Sequence, residues 1–198
     1  MHGRKSPRLT PAHMAIKATV FKAALQIADM DRHYYADHAL TLARHPSETD
    51  ERMMVRLLAF ALYADTRLAF GKGLSSDEEP DLWGKDLTGA IERWIEVGLP
   101  DERVIRKACG RAGEVVVIIY GRSADIWWNE NRGKLQRLGK LTVLKLASET
   151  TLALALLAGR NMQMQCTIEE GHVMMISDTG IIEVEPQVLQ GNFRAVQN

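Results

Sequence analysis

Cysteine is scarce in this chain. Its 198 residues include two, Cys109 and Cys166, with no CxxC spacing, which excludes a disulfide scaffold and a cysteine zinc cluster. Long apolar runs are missing too. The longest, Val115 to Tyr120 and Leu152 to Ala158, fall far short of the roughly 20 residues a membrane helix needs. No secretory h-region is present, because Lys17 and Lys22 interrupt the first apolar stretch, so a reducing cytoplasm is the default setting. Neither sign of charge is in excess: 25 basic residues face 25 acidic ones. That argues against a large electrostatic footprint for long nucleic acid, while leaving room for local basic faces. The six histidines show no HExxH or other zinc spacing. There is no GxSxG elbow, no P-loop and no GxGxxG, and no internal repeat or low-complexity linker.

The composition that remains, 46% hydrophobic and 25% charged, is that of one globular domain with a real core. Residues 1–13 are polar and basic and read as a loose extension, with Met14 as an alternative start. Ile16 to Ala28 and Tyr34 to Ala43 read as strands joined at Asp29-Met30-Asp31, a hairpin. A helix follows, with Ser47 as its expected N-cap and Glu48, Asp50 and Glu51 in its first turn. Met54, Leu57, Leu58, Ala61 and Leu62 give it one core face, and Glu48 and Arg52 are placed to pair. Leu82-Trp83 and Trp94 to Val97 read as strands. Asp101 caps a helix that runs to Arg111, and Glu114 to Tyr120 is a β-branched strand covered on both sides. Strand, helix, strand implies a parallel pair with a right-handed crossover. Ser123 starts another helix, Leu141 to Leu146 is a strand, and Ser148 to Ala158 is a helix. Strands at Met162 to Ile168, Val173 to Ser177 and Ile181 to Val184 follow, and the last dozen residues are expected to fray. The fold class is α/β, a single domain with a mixed sheet.

Two acids stand out against this frame. Pro80-Asp81 and Trp94-Ile95-Glu96-Val97-Gly98 place Asp81 and Glu96 at the ends of two candidate strands. Paired, those strands would set the carboxylates side by side, in reach of one divalent metal. On an extended segment Trp94 and Glu96 share one face and Ile95 and Val97 the other. The bland alternative is a strand-end acid paired with Arg93 or Arg103. The helix after Glu96 carries Arg103, Arg106, Lys107 and Arg111, and a second basic cluster comprises Arg132, Lys134, Arg137 and Lys140. Such faces can contact phosphates, although a solvated surface is the commoner meaning. Trp127 and Trp128 could stack on bases or serve as core and interface residues.

Pro80-Asp81 with Glu96-x-Gly98 resembles the PD-(D/E)XK nuclease motif without its lysine. The chain as a whole, over about residues 14 to 190, resembles the YaeQ family, a branch of that superfamily. The longer strings that carry the resemblance are Leu42 to Thr49, Glu51 to Met54, Asp77 to Trp83, Trp94 to Arg103 and Ile126-Trp127-Trp128. The resemblance implies a restriction-endonuclease-like core, helix–strand–strand–strand–helix–strand, with β-hairpin additions. It implies Asp81 and Glu96 as Mg2+ (or Mn2+) ligands and Glu48 or Glu51 as the acid from the first helix. It implies Lys107, rather than Arg106 or Arg103, as the basic group in place of the lysine absent at Gly98. Arg103, Arg106 and Arg111 are the implied nucleic-acid contacts. Two functions follow as expectations: a metal-dependent nuclease, or a nuclease fold that binds nucleic acid or a protein partner without cutting, for instance in transcription.

Overall fold

The structure is a computed structural model and describes residues 18–72 and 78–193. The expected extension over 1–13 lies outside the described residues. β1 (Thr19–Asp29) and β2 (Tyr34–Arg44) form the expected hairpin, paired from Thr19↔Arg44 to Asp29↔Tyr34. Phe21, Ala23, Leu25 and Ile27 of β1 are buried and alternate with more exposed neighbours. This period of two overrides the weak strand preference of alanine.

The other neighbour of β1 is β8 (Asn161–Glu169), which runs parallel to it. β9 (His172–Ser177) and β10 (Gly180–Val184) complete a five-stranded sheet in the order β10-β9-β8-β1-β2. A second sheet contains β3 (Leu68–Phe70), β4 (Leu82–Lys85), β5 (Ile91–Val97), β6 (Ala112–Ile119), β7 (Leu141–Lys145) and β11 (Gln187–Gln190). Its order is β11-β7-β6-β5-β4-β3. The expectation of one mixed sheet is therefore corrected to two.

The reason lies in α1 (Asp50–Tyr63). Every residue from Met53 to Tyr63 is buried, not one face alone. A helix buried on every side needs cover all round, and the two sheets supply it. The buried residues of β1, β8 and β9 share one core with α1 and with Ile95, Val97, Val116 and Ile118 of the second sheet. α4 (Ser148–Ala155) lies beside α1 and adds Leu154 to that core. The N-cap of α1 is Thr49, whose Oγ1 accepts from the Arg52 N–H at 3.1 Å. The expected cap, Ser47, instead places its hydroxyl 2.6 Å from His45 Nδ1. Glu48 thus precedes the helix.

The crossover from β5 through α2 (Glu102–Arg111) to β6 is parallel, as expected, and Asp101 caps α2 by accepting from the Arg103 N–H at 2.7 Å. α3 (Ala124–Leu135) leads to β7, parallel to β6. α2 and α3 cover the outer face of the second sheet over a separate core that includes Trp94, Ile105, Val115, Val117 and Leu135. The C-terminal stretch does not fray from its start. β11 pairs antiparallel with β7, and the Phe193 ring lies 6.1 Å from that of Tyr63. Among the described residues no helix is long and apolar enough to cross a membrane.

Candidate functional site

The site forms where β4 begins and β5 ends. Gly71, just past β3, packs so closely on Pro80 that a Cβ there would stand 2.0 Å from the Pro80 carbonyl oxygen. Its N–H donates to the Asp81 carbonyl at 2.8 Å. Only glycine permits this approach, and it fixes the backbone that presents Asp81. The β4–β5 ladder pairs Leu82 with Ile95. Asp81 stands just before this ladder and Glu96 just after Ile95 on β5, so the two acids are near one another at these strand ends, with Asp81 bonded toward α1 and Glu96 to Trp94.

The Asp81 side chain is buried and uses both oxygens. Oδ2 accepts from the Val97 N–H at 2.8 Å, and Oδ1 accepts from Arg52 Nη2 at 2.6 Å. The other end of the same guanidinium donates from Nη1 to Glu48 Oε1 at 3.0 Å, the expected Glu48–Arg52 pair. Arg56 is fully buried and holds Glu48 from the far side, Nε to Oε1 at 2.8 Å and Nη2 to Oε2 at 2.9 Å. Arg56 Nη2 also donates to the Ala43 carbonyl at 2.9 Å. The result is a continuous chain of alternating charge, Asp81–Arg52–Glu48–Arg56. Arg52 is its solvent-reaching member, with 22% of its side chain exposed against 0% for Asp81.

The electrostatics follow from burial and from these partners. Burial works against the Arg52 charge, but Asp81 and Glu48 outweigh it and hold the guanidinium above its ordinary pKa. Burial pushes the Asp81 carboxyl up, opposed by Arg52, the Val97 amide and Arg56. The two tendencies conflict, since one assumes a charged Asp81 and the other favours a neutral one. Geometry decides for the ion pair, because both Asp81 oxygens accept hydrogen bonds. Tyr120, at the end of β6, lies within the field of the same group. Burial pushes its phenol up to about 12; Arg52 opposes this, while Glu51, Asp81 and Glu48 add to it.

Glu51 Oε1 accepts from Thr151 Oγ1 at 2.6 Å and ties α1 to α4. Glu96 is buried, and its Oε1 accepts from the Trp94 indole at 2.8 Å, as expected for two residues on one strand face. Arg93, offered as a bland partner for Glu96, binds Glu114 and Asp65. Lys107 and Arg111 reach Glu78, at 2.5 and 3.3 Å. Arg106 pairs with Glu102 on its own helix and donates to the Lys134 carbonyl at 3.2 Å. Arg103 is exposed on α2. The structure therefore groups Asp81 and Glu48 through Arg52, with Glu96 near the end of β5, and places Lys107 and Arg111 against Glu78 and Arg106 against Glu102. The cation bound to Asp81 is Arg52, from α1.

Gly98 stands two residues after Glu96. Its φ is +108°, a conformation that side chains other than glycine's rarely adopt. Arg56 and Tyr120 were not singled out from the sequence, and Arg52 was expected only beside Glu48. The available signal for Arg56 was a lone charge inside the apolar run Met53 to Leu62. The contact between Arg52 and Asp81 spans 29 residues and leaves no trace in local spacing.

A divalent metal was implied at Asp81 and Glu96. Carboxylate oxygens suit Mg2+, but the Asp81 oxygens are already committed to Arg52 and to the Val97 amide. In this arrangement a metal does not fit on Asp81 Oδ1 unless Arg52 leaves it. Among the described residues no group of three or more His, Cys, Asp or Glu is placed to hold a metal ion.

Known proteins resemble this chain over nearly all of its length. The YaeQ protein family profile matches residues 14–186. An uncharacterized YaeQ protein of Escherichia coli is 47% identical over 172 residues, covering 86% of this chain and 95% of the relative. The uncharacterized YaeQ protein of Salmonella typhi is 45% identical over 173 residues, covering 87% and 96%. The crystal structure of the YaeQ protein from Xanthomonas axonopodis pv. citri is 53% identical with a TM-score of 0.85, covering 88% of this chain and 99% of that one. That from Pseudomonas syringae is 36% identical with a TM-score of 0.85, covering 90% and 98%. With the family profile matched over residues 14–186 and the relatives alike in sequence and fold across this span, the chain belongs to the YaeQ family.

Proposed function

We propose that this protein is a nuclease-like phosphodiester hydrolase of the PD-(D/E)XK type, dependent on Mg2+ or Mn2+. The observation that carries the reading is two buried carboxylates, Asp81 just before β4 and Glu96 near the end of β5, on strands that pair from Leu82 with Ile95. A buried, hydrogen-bonded acid at a strand end is a marker of functional chemistry. The run α1, β3, β4, β5, α2, β6 supports it by repeating the helix–strand–strand–strand–helix–strand order of a restriction-endonuclease-like core. Asp81 and Glu96 would be the metal's oxygen ligands, with Glu48 and Glu51 supplying acids from the α1 side. The ion would orient a water and neutralise charge on the phosphate when bound. Lys107 remains the proposed basic group, freed by exchanging Glu78 for substrate. Arg103, Arg106 and Arg111 would hold the nucleic-acid backbone through its phosphates, sequence-independently.

The alternative is a nuclease fold that binds nucleic acid or a protein partner without cutting. One observation favours it: Arg52 already neutralises both Asp81 and Glu48. Incubating labelled single- and double-stranded DNA and RNA with Mg2+ or Mn2+ separates the two. The nuclease reading expects cleavage that Asp81→Ala and Glu96→Ala abolish. Absence of cleavage on every substrate, or cleavage that survives both substitutions, ends it. In that event, retained salt-sensitive binding that Arg103→Ala and Arg106→Ala weaken supports the non-catalytic reading.

A further inference from the structure

Each sheet ends in a strand that borders the same groove. Among the described residues β2 pairs with β1 alone and β3 with β4 alone, so both strands are edges. A groove of about 580 Å3 runs between them, within the ordinary range of ligand sites, about 300–1,000 Å3. Consecutive residues of β2, Ala36 to Thr41, line it. Successive side chains of a strand point to opposite faces, so a cavity that touches all of them lies against the backbone edge rather than against one face. Its floor is aromatic. Phe60 of α1 stacks on Phe70 of β3 at 5.4 Å and meets the His38 ring edge-on at 5.0 Å, and the Tyr34 hydroxyl lies 2.9 Å from His38 Nε2.

Native sheet edges are blunted by lysine, proline, a bulge or shortness. β2 has none of these from Tyr34 to Thr41: the strand is 11 residues long and its register with β1 is unbroken. An undefended edge is a template for one more strand. β3 walls the groove on the far side, so an entrant must be a single extended chain. A second copy of this protein would bring its own β3 beside its β2, and the two walls would collide. Charge narrows the entrant further. The charged residues of the lining are Asp37 and Asp65, with no lysine or arginine. Burial holds the His38 imidazole below its ordinary pKa, opposed by Asp37, so the ring stays neutral near pH 7. Asp65 already binds Arg93, which leaves Asp37, exposed on the sheet face opposite His38. We infer that this groove binds an extended, basic peptide as an added strand on the β2 edge. Alternate side chains of such a peptide turn inward onto Phe70 and His38 and are apolar; those between turn outward beside Asp37 and carry lysine or arginine. The inference uses none of the charges around Asp81 and holds under either functional reading above.

Fluorescence anisotropy with a labelled Lys-Val-Lys-Phe-Lys-Val-Lys peptide tests this on the full chain. Saturable binding is expected, weakened about tenfold or more by Asp37→Lys, which puts like charges side by side. Two further peptides carry N-methyl groups on the valines and phenylalanine or on the lysines, and so block one side of the strand each. One of the two is expected to lose binding, because strand addition uses the N–H groups of one side. No saturable binding up to about 1 mM peptide overturns the inference, as does binding that Asp37→Lys leaves unchanged or that survives both methylations. Sedimentation velocity covers the competing occupant: a wild-type dimer that Asp37→Lys dissolves, with no peptide bound, overturns the inference in favour of a second copy pairing along β2. Circular dichroism checks that Asp37→Lys is folded. Should it fail to fold, the methylated peptides carry the test on the unchanged protein.

Discussion

Replacing Glu48 by Gln isolates the charge chain from any question of activity. The Glu48 side chain is 2% exposed and its partner Arg56 is 0% exposed. Arg56 then keeps the Ala43 carbonyl and one amide oxygen, but loses its counter-ion. Removing one partner of a buried pair costs about 3–5 kcal/mol, mostly because the other charge is left uncompensated. The surviving amide acceptor sets the expectation at the lower end, about 3 kcal/mol. At a urea slope of roughly 2–3 kcal/mol/M, that lowers the unfolding midpoint by about 1–1.5 M. The double variant Glu48→Leu/Arg56→Met removes both charges and keeps the volume apolar. It is expected to recover most of the loss, to within about 1–2 kcal/mol of wild type. Urea denaturation followed by circular dichroism measures both. A single variant that loses less than about 1 kcal/mol, or a double variant no more stable than the single one, would refute the reasoning.

Three further outcomes are expected. Thr49→Ala destabilises by about 1 kcal/mol through loss of the α1 cap, whereas Ser47→Ala changes stability by a few tenths; a reversed order in thermal unfolding contradicts the cap assignment. Gly98→Lys restores the missing motif residue on paper, yet costs about 1 kcal/mol or more because φ is positive there, readable as a lowered urea midpoint. Tyr120 titrates near 12, against an ordinary 10.0. A folded-state pKa above the unfolded one means a contribution to stability that is full below pH 10 and lost as pH rises through 12. Tyrosinate absorbance at 295 nm should lose its component near 12 in Tyr120→Phe, and loss of a component near 10 instead would contradict the placement.

Local chemistry made much of this fold readable. The β1–β2 hairpin showed in period-two alternation, and the β5–α2–β6 crossover in the Asp101 cap and the Val115 to Ile119 run. The facing of Trp94 and Glu96 followed from strand geometry alone. What stayed hidden depends on partners distant in sequence. α1 shows a 3.6-residue stripe whether one sheet or two cover it, so its burial on all sides was illegible until β1 met β8. β11, Gln-Val-Leu-Gln, is too short to show a period and owes its existence to β7. At the site, Asp81, Glu96 and Glu48 were legible as acids in motif-like positions. The guanidinium on Asp81 was not, because nothing in the order of residues says that the first turn of α1 faces the start of β4. Lys107 drew attention through closeness in sequence to Glu96, and the fold pairs it with Glu78.

Crystallisation of the protein with Mn2+ and an anomalous difference map brings the metal, the acids and Arg52 into a single measurement. The prediction is one anomalous peak about 2.0–2.3 Å from an Asp81 oxygen, with Glu96 in the same coordination sphere and Arg52 swung away from Oδ1. A map with no peak at Asp81 at saturating Mn2+, and Arg52 still bonded to Asp81 and Glu48, would contradict it.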